Sequence, residues 1–227
     1  TVTVTIGGTE FTGNVQADKS FIVPVTVDKT LGVKDSYTVT ISGSASDNYN
    51  APDSVTIGLT VTPADTVIVD VGDLSVVYGV NNTIVVSGNV SGTEFGENYN
   101  GTVTVTIGGT EFTAYVQADK SFTVEVPVNE NLGVKDSYAV TISGVATGNY
   151  NAPVAKEISL TVNKANTEII DTENLEVVYG VNNTIYVSGN VSGTEFGENY
   201  DGTVTVTIGG TEFTGYIDAD KSFTVPV

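Results

Sequence analysis

The chain has 227 residues, 40% of them hydrophobic and 15% charged, with 27 Asp plus Glu against 8 Lys and a formal net charge of −19. Such acidity repels phosphate backbones and argues against nucleic acid as a partner, and no apolar run approaches the roughly 20 residues of a membrane span, nor does any basic amphipathic stretch suggest membrane contact. The absence of His and Cys removes imidazole bases and ligands, thiol nucleophiles and disulfides.

Self-similarity organises the chain. TVTVTIGGTEF begins at Thr1, Thr102 and Thr203, a period of 101 residues. LGVKDSY begins at Leu31 and Leu132, and VVYGVNNTI at Val76 and Val177, in the same register. The alternating runs LTVT and LTVN end at Pro63-Ala64 and Lys164-Ala165, after which a fresh pattern starts; a proline just past a strand stops a ladder. The expected division is residues 1–63 as the C-terminal part of one repeat, 64–164 as a complete repeat, and 165–227 as the N-terminal part of a third. Two readings of the partial repeats stay open: they belong to a longer tandem array, or a neighbouring chain completes them by strand addition or a swapped half.

Within 64–164 the elements follow by period-2 alternation. Ile68 and its neighbours predict a short strand, Leu74 to Tyr78 a second, and Ile84, Val86 and Val90 a third. Thr102 to Ile107 alternates threonine with Val103, Val105 and Ile107. Gly108-Gly109 predicts a hairpin turn, with Phe112 on the return strand. Ala118-Asp119 precedes a strand carrying Phe122, Val124 and Val126. Tyr138, Val140 and Ile142 mark the next, and Ile158, Leu160 and Val162 the last. Val85 becomes Tyr186 in the following copy, and Tyr115 is Asn14 in the preceding one; both changes fall on faces assigned to solvent. No helical period stands out, and Thr, Val and Gly are poor helix formers.

Seven or eight short strands per repeat predict an all-β chain of antiparallel β-sandwich repeats. Asp136-Ser137-Tyr138, repeated as Asp35-Ser36-Tyr37, has the spacing of the tyrosine corner of immunoglobulin-like domains; a Tyr simply buried on an alternating strand gives the same pattern. Leu132 to Pro153, LGVKDSYAVTISGVATGNYNAP, resembles the strand–loop–strand segment of bacterial immunoglobulin-like repeats through Gly133, Tyr138 and Asn149-Tyr150, with Asn48-Tyr49 as the sibling pair. The repeats also resemble the adhesin-like surface proteins of methanogenic archaea. The resemblance implies tandem immunoglobulin-like repeats in an extracellular cell-surface stalk or adhesin, and it carries no catalytic residues.

Chemistry candidates are few. No phosphate-binding loop or dinucleotide fingerprint occurs. The carboxylate pairs Glu94/Glu97 and Glu195/Glu198 lie in Gly-rich loops rather than in an expected cleft, so no enzyme is expected. Calcium bound through loop carboxylates is the one cofactor considered, with Asp70, Asp73, Glu94 and Glu97 as the candidate ligands. Lys120 and Lys135, candidates for an isopeptide crosslink, fall in polar turns at strand edges. Asn81, Asn89 and Asn100 open N-x-Ser/Thr triplets, and Asn182 and Asn190 repeat the first two, so these are candidate glycosylation sites. Phe95, Tyr99 and Tyr150 lie in loops, where they could bind a partner or pack the junctions between repeats.

The expected function is a structural spacer whose partners are neighbouring repeats or identical chains end to end, with any host or cell-surface ligand taken by a domain outside this sequence. The alternative is that the repeats themselves bind a glycan, or neighbouring chains by strand complementation in a filament.

Overall fold

The computed structural model describes residues 1–80, 83–92, 99–128, 131–181, 183–193 and 202–227. Every regular element among them is a strand. Residues 1–63 contribute β1 (Val2–Ile6), β2 (Thr9–Gly13), β3 (Lys34–Gly43) and β4 (Val55–Val61). Next come β5 (Val67–Val69), β6 (Leu74–Val77), β7 (Thr83–Ser91), β8 (Thr102–Ile107), β9 (Thr110–Tyr115), β10 (Ser121–Pro127), β11 (Lys135–Gly144) and β12 (Lys156–Asn163). The last stretch holds β13 (Glu168–Ile170), β14 (Tyr186–Ser192), β15 (Thr203–Ile208), β16 (Thr211–Tyr216) and β17 (Ser222–Pro226).

Strands β5 to β12 form two sheets, ordered β10-β7-β5 and β6-β12-β11-β8-β9. All pairs are antiparallel except β6 with β12. One apolar cluster draws side chains from both sheets: Ile68, Ile84, Val86, Phe122 and Val124 from the first, and Val103, Val105, Val140, Ile142 and Leu160 from the second. This is a β-sandwich. Its strand order, with the first strand split so that β5 joins one sheet and β6 the other, is immunoglobulin-like. The alternation read from the sequence lands mostly as expected: the named Val side chains, Phe122 and Ile68, Ile84, Ile107 and Ile142 are buried, Phe112 and Ile158 are half-buried against the core, and Val85 and Tyr115 are exposed.

The switch from β5 to β6 runs through Asp70, whose φ is 59°. Asp tolerates this left-handed conformation better than most residues because its short side chain hydrogen-bonds locally. Here the carboxylate accepts from Asn89 Nδ2 on β7 at 2.9 Å. Asp171 (φ 58°) and Asn190 repeat the arrangement at 3.0 Å.

Gly88 sits on β7 directly across from Phe122 on β10. A Cβ there would lie 2.9 Å from Phe122 Cζ and 2.8 Å from the Val69 carbonyl oxygen. The missing side chain is the space into which the ring packs. Gly189 and Phe223 form the same pair across β14 and β17.

The other copies keep these registers where the same strands are present. β1 pairs with β3 as β8 pairs with β11, Ile6 opposite Val39 and Ile107 opposite Val140. Segments without their partner strand behave differently. Ser20 to Thr26 is the counterpart of β10, but residues 1–63 hold no counterpart of β7, and this stretch has only the isolated Val15–Phe21 bridge. Phe21 is 42% exposed, whereas Phe122 is 0% and Phe223, which does have its partner strand, is 2%. Leu175 to Val178, the counterpart of β6, likewise forms no strand where no counterpart of β12 is present.

Truncating Phe122 to Ala is therefore expected to destabilise the central sandwich by about 3–5 kcal/mol. Phe21→Ala is expected to cost about 1 kcal/mol or less. Denaturant unfolding of the full chain followed by circular dichroism measures both. Gly88→Ala should fall between them, at about 1–3 kcal/mol, because the new methyl meets backbone and ring together.

Candidate functional site

The loops at the two ends of the sandwich and the junctions between copies are where the structure concentrates polar contacts. The tyrosine at the start of β11 is a tyrosine corner. Tyr138 Oη donates to the Gly133 carbonyl at 2.8 Å, and Tyr37 donates to Gly32 at the same distance. The Lys135 ammonium lies 4.7 Å from the Tyr138 ring centroid and that of Lys34 4.9 Å from Tyr37, a cation–π contact in each copy.

The turn before β10 repeats three times with one geometry. Asp119 Oδ1 accepts from the Ser121 hydroxyl at 2.6 Å and from its amide at 3.0 Å. Asp18 with Ser20 and Asp220 with Ser222 match within 0.1 Å. The lysine between them is left-handed each time, with φ of 69°, 71° and 68° at Lys19, Lys120 and Lys221. The serine hydroxyl, then its amide, holds each aspartate carboxyl below its ordinary pKa of 3.8. The recurring Ala-Asp-Lys-Ser-Phe at 17–21, 118–122 and 219–223 is the sequence signal for this turn.

The junction leading into the central sandwich is tied to it. Five residues, 62–66, separate β4 from β5. The Ala64 amide donates to the Asn149 carbonyl at 3.0 Å, and the Asn151 amide donates to the Ala64 carbonyl at 2.8 Å. Thr66, 2% exposed, donates its hydroxyl to the Asn151 carbonyl at 2.9 Å. Asn151 Nδ2 donates to Asp65 Oδ1 at 2.8 Å. The linker backbone also presses on the end of β7: a Cβ on Gly92 (φ 100°) would lie 2.5 Å from the Asp65 carbonyl oxygen. At the second junction Gly193 (φ 101°) meets the Asn166 carbonyl oxygen in the same way, at 2.2 Å. Among the described residues, a bond from the Val33 amide to Asn149 Oδ1 at 3.1 Å crosses between copies.

The residues singled out from the sequence fall as follows. Asp70 is bonded to Asn89, so a calcium candidate and a glycan candidate form a pair with each other. Asp73 accepts from the Ser159 amide on β12 at 2.8 Å, which lowers its pKa. Asn190 pairs with Asp171, and Asn100 is exposed. Glu94, Glu97, Phe95, Asn81 and Asn182 lie outside the described residues. Among the described residues no group of three or more acids is placed to hold a metal ion. Tyr99 and Tyr150 close the core of the sandwich, and the backbone of Tyr150 also bridges Ala64 of the junction. Tyr99 is fully buried, burial pushes its phenol pKa up, and its hydroxyl donates to the Val145 carbonyl. Its ring meets Tyr150 edge-on with centroids 6.4 Å apart. Tyr49, the sibling of Tyr150, has no counterpart of Tyr99 beside it and is 77% exposed, whereas Tyr150 is 6%.

Tyr138→Phe leaves the Gly133 carbonyl without its donor and is expected to cost about 1 kcal/mol in denaturant unfolding. A carboxylate whose folded pKa is depressed contributes stability above its unfolded value and loses it as pH falls through the folded value. Asp119→Asn should therefore narrow the stability difference from wild type as pH drops below 3.8, read as melting temperatures from neutral to strongly acidic pH; comparing the two proteins at each pH cancels the relief of general charge repulsion.

No protein-family model matches the chain, and no curated protein matches it. Solved structures do. A fragment of a 1.5-MDa bacterial ice-binding adhesin studied for host cell surface retention is 21% identical, at a TM-score of 0.37, covering 100% of this chain and 74% of that one. A Ca2+-stabilized adhesin with which an Antarctic bacterium binds ice is also 21% identical, at a TM-score of 0.31, covering 100% of this chain and 56% of that one. The three-domain I67–I69 fragment of the titin I-band is 13% identical, at a TM-score of 0.44, covering 100% of this chain and 77% of that one.

Proposed function

We propose that the chain is a spacer built of immunoglobulin-like repeats, running 1–63, 64–164 and 165–227, that gives length to an extracellular, adhesin-like surface protein and holds its ends apart under load. One observation carries this reading: the linker before the central sandwich is hydrogen-bonded into that sandwich at Ala64, Asp65 and Thr66, so that consecutive repeats are joined by structured chain. Charge supports it. Residues 64–164 contain 4 Lys and 11 Asp plus Glu, a net −7, and like-charged repeats resist lateral association.

The mechanism is passive. Strands of 6 to 10 residues in β7, β8, β10, β11 and β12 make each sandwich about 35–45 Å long with its loops. Tension applied along the array acts on the whole sandwich, which unfolds as a unit.

A second reading, in which chains complement one another's strands in a filament, draws on the alternating stretches Ser20–Thr26 and Leu175–Val178, which lie outside the regular strands. Light scattering across a concentration series separates the two, since complementation requires the mass to rise with concentration and the spacer requires a constant monomer mass.

Pulled by its ends in a force spectrometer, the full chain is expected to show a step of about 300 Å, the contour length of a 101-residue repeat less its folded length. Gradual extension at low force, without a step of that size, would overturn the spacer reading.

A further inference from the structure

The geometry points to a plug-and-socket latch between consecutive repeats, with Asn149 as the plug and Gly32-Val33 of the preceding repeat as the socket. This inference rests on the spacer reading and specifies the contact that stiffens it.

The plug is preformed. Thr147 and Tyr150 exchange backbone hydrogen bonds at 2.9 and 3.4 Å, which puts Gly148 and Asn149 at the tip of a two-residue turn between β11 and β12. The first copy forms the same turn, Ser46 with Tyr49 at 2.9 and 3.3 Å, with Asn48 at the tip. The turn therefore needs no neighbour. Behind the tip, Tyr150 is anchored in the core against Tyr99, and the Asn149 carbonyl binds the linker at Ala64. The side chain is thus held from two directions.

The socket is equally fixed. The Gly32 carbonyl accepts from the Tyr37 hydroxyl, and the neighbouring Val33 amide donates to Asn149 Oδ1 at 3.1 Å. A Cβ on Gly32 would stand 3.4 Å from the same oxygen, so glycine leaves the approach open. The tyrosine corner thereby aims the amide that the plug reads.

Both halves recur. Leu-Gly-Val at 31–33 returns at 132–134, and Asn-Tyr-Asn-Ala-Pro at 48–52 returns at 149–153. β11 runs from the Gly133-Val134 loop to the Asn149 turn, so socket and plug lie at opposite ends of one sandwich. A contact between opposite ends of identical units is head-to-tail, so each repeat of a tandem array can make it with the next. The partner this surface fits is another copy of the same repeat.

Because the chain has no Cys, Thr12→Cys and Thr113→Cys, at exposed equivalent positions of successive repeats, place two spin labels uniquely. Pulsed electron-spin distance measurement on the full chain is expected to give a narrow distribution centred near one repeat length. An ordinary hydrogen bond biases a latched-to-open equilibrium by about fivefold, so Asn149→Ala should broaden the distribution. Asn149→Asp, which keeps the accepting oxygen, should restore its width, and Asn48→Ala should leave it unchanged. Melting curves confirm that the variants fold. An unchanged width in Asn149→Ala at an unchanged mean overturns the latch alone. A wild-type mean far shorter than one repeat length overturns the spacer reading beneath it.

Discussion

The ring of Phe122 occupies the space that Gly88 leaves on the facing strand, and the two sheets of the central sandwich close around that contact. The pair explains why β7 and β10 must both be present for either to bury its apolar face. Once they pair, Val124 and Val126 come into register with Val86 and Ile84 and reach the cluster of Val103, Val105 and Val140 on the other sheet. Apolar area leaves water on both sheets together, and this is the dominant favourable contribution to such a core. Where the partner strand is missing, as for Phe21, the same residue type in the same local sequence stays exposed and irregular.

The turns obey a different rule. Gly7-Gly8, Gly108-Gly109 and Gly209-Gly210 have φ near 58° and 85° in all three copies, as a two-residue type I′ hairpin requires. The Asp-Lys-Ser turn keeps its left-handed lysine and both hydrogen bonds whether or not the strand after it is paired. These geometries come from contacts within a few residues, so tertiary surroundings do not alter them. The array is thus a set of self-sufficient turns joined by strands that depend on their neighbours.

That division suits the spacer role proposed above. The linker is drawn into the sandwich that follows it, the tyrosine corner orders the loop that faces the next repeat, and the acids among the described residues lie outside the core. Even the carboxylates that first suggested metal binding have structural tasks among the described residues. Asp70 turns the chain from one sheet to the other while bonded to Asn89, and Asp73 ties the start of β6 to β12.

The 101-residue period, the all-β class, the hairpin turns and the inward-facing Val and Ile positions were legible in the residues alone. Period-2 alternation and paired glycines act locally, and repetition supplied each signal up to three times. The tyrosine corner was half legible, because its spacing cannot tell a hydroxyl bonded to Gly133 from a ring that is merely buried. The tasks of Tyr99, Asn149 and Asp70 were not legible. Each depends on a partner far along the chain: Val145 and Tyr150 for the first, Val33 across a junction for the second, and Asn89 for the third. Sequence determined which segments could become strands and where the chain would turn; tertiary structure decided which of them did, because a strand's hydrogen bonds and its buried face are completed only by another strand.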